Sequence, residues 1–529
     1  MKGSAKRDYP ASISYQSPWY KEYSYIEDHF ARLAAVLTRG AARVNVGVIH
    51  PIESYYMIYG ADDLFALKKN DAQKQFDEVI SRLLFGQIDF DFLCEAILPE
   101  LCKSAGDGLS VGEMNYSAVV VPELITIRKT TLDILTDFSH RGGKLIFIGD
   151  CPRAVDGRYS SEAEALYNSS LHVSSASPEL LELLKEERTI SLSLDDGQPA
   201  SDYIYTQRTE GEDTYFFIAN AKYDTNPDVV VKHTMRIELC GEFSPVILNT
   251  LTGEAEDCIF SYENGNTVIL KDVYQSDSIL IRAKSGRGEC KAAKKSEEII
   301  KKEIRFLKPV SYKREEDNVL LLDIAEWSED GVIYNEAEEV LRIDAAVRAK
   351  HNLPFADGKD IQPWAMEPEN PSIFPRLRFT FESDCEIPVR FGFEEAEEII
   401  FNGERLKISA DGYYVDKSIH TIKLGLTKKG KNELVVKVPV SNRLSIEAFY
   451  LLGDFDVSVS GCSCRISLPS DKIGFGSITN QGMPFYGGNI LYKAEFETDT
   501  DGTAEIEICH YRGALLEVSV DGGEYKRLA

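Results

Sequence analysis

The stretch Tyr15-Gln16-Ser17-Pro18-Trp19-Tyr20 sets a side-chain amide beside an indole and two phenols. An indole stacks on the apolar face of a sugar ring while an amide hydrogen-bonds its hydroxyls, so Gln16, Trp19 and Tyr20 are candidate substrate-binding residues. The competing reading is that Trp19 packs the following helix against a neighbouring domain. His50 and Glu53 lie in VIHPIESYY, directly after an apolar strand-like run. Ligands of open α/β sheets bind at the carboxyl ends of strands, which makes this pair a second candidate, against a plain inter-domain contact. Trp364 in DIQPWA and Phe485 with Tyr486 in QGMPFYGGN are weaker carbohydrate-binding candidates. Aromatic–glycine runs equally mark tight bends in sheets.

Other chemistries find little support. Cys151 in FIGDCPRA follows a buried-type strand, as an amidotransferase nucleophile does. A thiol nucleophile needs a His base and an orienting carboxylate. Here Pro152 stiffens the turn, no glycine closes it and no His-x-Glu follows, so a scaffold role is expected for this region. The ten cysteines form no CxxC pair, and the eight histidines form no HExxH, so no metal site, catalytic set or cofactor is assigned. A net charge of −27 opposes nucleic acid and anionic membrane as main partners. Scattered cysteines, and the lack of a signal pattern or an 18-residue apolar run, lead to the expectation of a cytoplasmic protein.

The elements that would position these residues form a multidomain chain, since 529 residues exceed one core. Ile26, Phe30, Leu33, Val36 and Leu37 recur at helical spacing before Gly40. From 41 to about 190, continuous apolar strands alternate with helices. That pattern predicts a flavodoxin-like or amidotransferase-like α/β domain with a parallel sheet. From 191 to 290, short runs such as DTYFFIANA and DSILIRAK predict an antiparallel β-sandwich, and 291–304 is a charged linker. Residues 305–529 alternate as a jelly roll, with an Asn-Gly turn at EIIFNGERL. The run 386–406 echoes 504–528, after which the chain stops. Both ends therefore read as cut.

Several stretches together resemble the C-terminal half of large bacterial glycoside hydrolases, the α-L-rhamnosidases of glycoside hydrolase family 106 and relatives. They are YQSPWYKEYSYIEDHFARLAAVLTRG, VGVIHPIESYY, DIQPWA, IEAFYLLGDFDV and NQGMPFYGGNILY. The resemblance implies a catalytic (β/α)8 barrel upstream, of which residues 1–40 would be the tail and exit helix. It also implies that the 305–529 region is galactose-binding-like. The barrel carboxylates that hydrolysis requires are absent from this chain, so none is carried over. The expectation is an accessory portion that scaffolds the missing barrel and meets a carbohydrate substrate. A stand-alone carbohydrate-binding protein and a Cys151 amidotransferase are the alternatives.

Overall fold

The computed structural model describes residues 14–103, 108–222, 231–290, 308–354, 367, 370–497, 506, 508 and 513–528. The chain forms two compact units. One comprises Met1–Ser24, Ile300–Glu507 and Arg512–Ala529; the other comprises Tyr25–Ile299 and Ile508–Tyr511. Trp364 and the 291–304 linker lie outside the described residues.

The 25–299 unit contains a parallel sheet of β1 (Val46–Ile49), β2 (Phe90–Leu93), β3 (Ala118–Val121), β4 (Lys144–Ile148) and β5 (Leu171–Val173). The spatial order is β5-β4-β3-β1-β2, every pairing is parallel, and the order reverses between β1 and β3. β1 and β3 are fully buried apolar runs because both faces are covered there, whereas the outer strands β2 and β5 carry Asp91 and His172. Ile49, Val119, Val121, Leu145 and Phe147 point into one core layer, and Val46, Val48, Val120 and Ile146 into the other.

Helix α1 (Ser24–Leu37) is followed by α2 (Ile52–Met57), α3 (Asp62–Phe85), α4 (Lys129–His140) and α5 (Pro178–Leu183). The apolar stripe along α1 is covered only in its second half: Leu33 is buried and Val36 and Leu37 partly so, but Phe30 is 60% exposed. What holds α1 is polar, with Arg32 donating to the carbonyls of Thr250 and Leu251 at 2.9 and 2.8 Å. Gly40 then turns with φ +54°, where a Cβ would stand 2.0 Å from the Thr209 carbonyl oxygen. Only glycine tolerates that approach.

The rest of this unit is a sandwich of a six-stranded and a four-stranded antiparallel sheet. Gln87 ties it to the parallel sheet. Its amide donates to Leu192 O at 2.9 Å and accepts from Leu192 N at 2.8 Å, imitating a strand partner inside the core.

The other unit is also a two-sheet sandwich. Its five-stranded antiparallel sheet contains β6 (Asn318–Leu322), β7 (Pro388–Phe393), β8 (Gly412–Tyr414), β9 (Asp416–Leu426) and β10 (Phe449–Gly453), in the order β6-β10-β7-β9-β8. The facing sheet includes Arg376–Ser383, Glu398–Phe401 and Gly430–Lys437. Alternation sends Phe379, Phe391, Phe393, Leu434, Val436, Phe449 and Leu451 into the shared core. The Asn402-Gly403 turn has both residues left-handed, at φ +52° and +87°. Two-residue hairpins use this conformation because it matches strand twist. Helix α6 (Val340–His351) closes one side of the sandwich.

Candidate functional site

At the carboxyl edge of the parallel sheet, the residues that follow β1 part company. The His50 backbone N–H donates to Leu93 O at 3.0 Å, and its ring stands edge-on to Phe76 and Phe92, 5.5 and 5.6 Å between centroids. Glu53, in the first turn of α2, instead accepts from Arg128 Nε at 2.8 Å. No hydrogen bond joins His50 to Glu53 among the described residues. Glu53 has a different companion, Glu95, which lies just beyond β2 and is fully enclosed at 0% exposure. Glu95 Oε2 accepts from Arg128 N at 2.8 Å, immediately before α4. Burial pushes the Glu95 carboxyl up to about 7, against the backbone N–H of Arg128 that favours its charge, and with the help of the Glu53 charge.

Cys151 sits beyond β4, as the sequence suggested. Burial raises its thiol, and its charged neighbours Glu164 and Asp150 raise it further. A nucleophilic thiol needs the opposite environment, so this surrounding does not equip Cys151 as the nucleophile of an amidotransferase.

In the other unit, the residues of the opening motif meet the outer face of the five-stranded sheet. Gln16 donates to Asp416 Oδ2 at 3.0 Å. Tyr15 stands edge-on to Tyr413, with 6.0 Å between centroids, and its hydroxyl accepts from Lys417 N at 3.3 Å. Trp19 is half-buried with its ring 5.7 Å from Tyr23, and Tyr20 is 37% exposed. Gln16 is thus anchored on a strand, whereas Tyr20 keeps an open edge.

Tyr486, a candidate for its ring, is 9% exposed, and its hydroxyl donates to Glu316 Oε2 at 2.7 Å. Asn489 N reaches the same oxygen at 2.7 Å, and Asn489 Nδ2 donates to Pro18 O at 3.1 Å. Gly488 makes room, since a Cβ there would lie 2.1 Å from Glu316 Oε2. Phe485 packs on the sandwich core. The Tyr486 ring is thus buried, and the Phe485 ring is partly buried.

The groups on the outer side of the sheet were not evident from local sequence; Gly392 and Thr421 among them are buried, and Tyr414 and Tyr450 are partly exposed. Register places Leu321, Tyr450, Gly392, Thr421 and Gly412 in one row across the sheet. The rings of Tyr450 and Tyr414 lie 4.9 Å apart beside this row. Next to them, Arg390 Nη2 donates to Asp411 Oδ1 at 2.9 Å and to Thr421 Oγ1 at 2.7 Å, and Nη1 reaches Asp317 Oδ2 at 3.4 Å. Burial would raise the Asp411 carboxyl, but the bonds from Arg390 and Thr421 outweigh it and hold Asp411 below its usual value. Burial, with the Tyr450 and Glu316 neighbours, pushes Tyr414 up to about 12. The Tyr414 phenol is therefore neutral at physiological pH.

Val415, between Tyr414 and Asp416, has φ +57°. A β-branched residue rarely adopts this conformation, which costs on the order of 1–3 kcal/mol and is held only where surroundings impose it. The bulge at this point turns Tyr414 toward Tyr450 and Asp416 toward Gln16. Signals that local reading passed over were the GYYVD run and the lone Arg390 in an apolar strand.

Two further places carry less chemistry. A shallow groove of about 1070 Å³ beside α3 and α5 is lined by mixed charges, among them Lys74, Asp77, Glu78 and Arg82. No group of three metal-ligating side chains occurs among the described residues. Among those residues, no helix is long and apolar enough to cross a membrane.

No protein-family model matches the sequence. No curated protein matches it either. Among solved structures, the rhamnosidase from Novosphingobium sp. PP1Y aligns with 80% of this chain and 37% of its own, at 12% identity and a TM-score of 0.36. A GH42 β-galactosidase from G. stearothermophilus aligns with 50% of this chain and 44% of its own, at 10% identity and a TM-score of 0.36. The α-L-fucosidase isoenzyme 2 from Paenibacillus thiaminolyticus aligns with 51% and 52% of the two chains, at 12% identity and a TM-score of 0.31. The alignments thus span 37 to 52% of those chains. Similarity at this level assigns neither fold nor activity.

Proposed function

We propose that this chain is the accessory, non-catalytic portion of a glycan-acting protein, and that the outer face of its five-stranded sheet is where it meets carbohydrate. One observation carries the reading: the Tyr414–Tyr450 pair lies beside the Arg390–Asp411–Asp317 ladder on a row relieved by Gly392 and Gly412. Aromatic faces take the C–H face of a pyranose, and a guanidinium donates to vicinal hydroxyls while the carboxylates beside it accept from them. Asp411 takes both of its bonds on Oδ1 and Asp317 its bond on Oδ2, and the other oxygen of each has no described partner. Asp317 and Asp411 flank Arg390, and Glu316 lies near Tyr414, which favours an uncharged sugar over an acidic one.

The organisation supports the same reading. The β2-β1-β3-β4-β5 order is that of flavodoxin-like sheets, and the second sandwich suits a galactose-binding-like domain. On this view the α/β domain is a scaffold for the barrel that the sequence resemblance implies, and Gln16 anchors the segment leading from it. The test is gel retardation by immobilised neutral plant polysaccharide, run alongside turnover of aryl rhamnosides and galactosides. Retardation without turnover is expected. Turnover abolished by replacing a carboxylate of this chain would contradict the non-catalytic assignment.

A further inference from the structure

Three buried oxygens gather near the start of α4, Glu95 Oε1, Glu53 Oε2 and Thr131 Oγ1; none has a partner in full hydrogen-bond geometry, and the Thr131 hydroxyl lies close enough to Glu95 to favour its charge. Glu95 and Thr131 are both 0% exposed. They surround one cation, Arg128, whose Nε serves Glu53 at 2.8 Å and whose backbone N–H serves Glu95 at 2.8 Å. The cluster lies at the carboxyl edge of the parallel sheet, on the segments that follow β1, β2 and β3.

We propose that Glu95, Glu53 and Arg128 form a proton-operated latch that holds α2 to the end of the sheet when one proton is bound and loosens it when the proton leaves. With both glutamates ionised, a single guanidinium offsets two carboxylates, one of them wholly removed from water. Glu53 Oε2 would then be an acceptor without a donor, and only the Thr131 hydroxyl and the Arg128 N–H would offset the enclosed Glu95 charge, a costly state for a buried group. A proton on Glu95 removes the enclosed charge and adds an O–H donor to the cluster.

The charged groups that face Glu95 are Glu53, from α2, and Arg128, from the turn into α4. Lys129 turns elsewhere, its Nζ pairing with Asp133 and Glu162 and its N–H donating to Asp156. What the latch holds is specific. Ser54, next to Glu53, accepts from Ile125 N and Thr126 N at 2.9 and 3.1 Å and donates to Thr126 O at 3.1 Å. Release of Glu53 therefore exposes a short helix fixed to its neighbours by only a few bonds.

The sign follows from burial raising the Glu95 carboxyl from its ordinary 4.5 to about 7. The closed form binds the proton more tightly than the open form, so closure is favoured at low pH. It weakens about tenfold per pH unit between about 4.5 and 7, and levels off above.

Hydrogen exchange of the amides of residues 52–58, measured on the full chain from pH 4.5 to 8.5 and corrected for intrinsic rates, reads this directly. Protection is expected to fall by more than a hundredfold up to about pH 7 and then plateau. Glu95→Gln should flatten the profile. Glu53→Gln, which removes the charge that lifts Glu95, should bring the plateau to lower pH. A flat wild-type profile, an unaltered slope in Glu95→Gln, or an unchanged plateau position in Glu53→Gln would each overturn the latch. The last comparison needs no substitution at the fully buried site.

Discussion

Replacing Arg348 with methionine should uncouple α6 from the loop it holds. The Arg348 side chain is 1% exposed, and its Nε donates to Asp344 Oδ2 at 2.7 Å. Its two Nη atoms donate to the carbonyls of Pro354, Ser441 and Leu444 at 3.0, 3.1 and 2.7 Å, and to Ser445 Oγ at 3.2 Å. Asp344 Oδ1 meanwhile accepts from Ile446 N at 2.9 Å, so the carboxylate keeps one donor when the cation is gone. Methionine retains most of the stem volume, and the loss is therefore mainly electrostatic. Removing one member of a buried pair costs about 3–5 kcal/mol, because the other charge stays enclosed.

With a denaturant slope on the order of 2 kcal/mol per M urea, that cost lowers the midpoint by about 2 M. All three tryptophans, Trp19, Trp327 and Trp364, fall within the segments of this unit, so tryptophan fluorescence follows its unfolding separately from the other unit. Arg348→Met with Asp344→Leu should recover at least half of the loss, since an apolar pair leaves no unpaired charge. A midpoint shift under about 0.5 M for Arg348→Met, or a double variant no more stable than the single, would refute the reasoning.

Two other perturbations test the α/β unit. Burial raises the Asp89 carboxyl from 3.8 to about 6, beyond what the Phe90 N–H recovers, with Asp91 adding to the rise. Its folded value lies above its unfolded one, so the stability it contributes is full below about pH 4 and lost as pH rises to about 6. At about 1.4 kcal/mol per unit this interval is worth about 3 kcal/mol. Urea unfolding followed by helical circular dichroism should therefore show Asp89→Asn losing this slope, and a slope equal to wild type would contradict the assignment. Alkylation by iodoacetamide at pH 7.5, resolved by peptide mapping, should modify exposed Cys462 well before Cys151, whose thiol burial and carboxylates hold up. First labelling at Cys151 would contradict that environment.

The fold was readable where burial follows a simple period. Val46 to Ile49 and Ala118 to Val121 are unbroken apolar runs because both faces of a parallel sheet are covered. The strands around Phe379 and Leu434 alternate because one face is wet. The stripe along α1 located the helix, but Phe30 stays exposed and Arg32, outside the stripe, makes the polar contacts that hold it. The echo between the two C-terminal stretches is visible as paired hairpins, each turning on two left-handed residues, Asn402-Gly403 and Asp521-Gly522.

The candidate sites were less readable because their residues meet only through topology. Arg390, Asp411 and Asp317 come from three separate segments, and nothing near any of them in sequence announces the ladder. Glu53 and Gln16 were picked out by position, but their partners, Arg128 and Asp416, were not. Glu95 follows a strand as many solvated acids do. Its enclosure depends on the start of α4, more than 30 residues further along the chain.

The account stands or falls on whether the face bearing Tyr450 recognises carbohydrate. The direct measurement is affinity electrophoresis of the wild-type chain and Tyr450→Ala through gels carrying neutral polysaccharide, with a polyuronate gel beside them. Folding of the variant is checked by tryptophan fluorescence. The account predicts retardation of the wild type by a neutral polymer, at least a tenfold weaker effect in Tyr450→Ala, and no retardation by the polyuronate. Equal mobility of wild type and variant in every gel would contradict it.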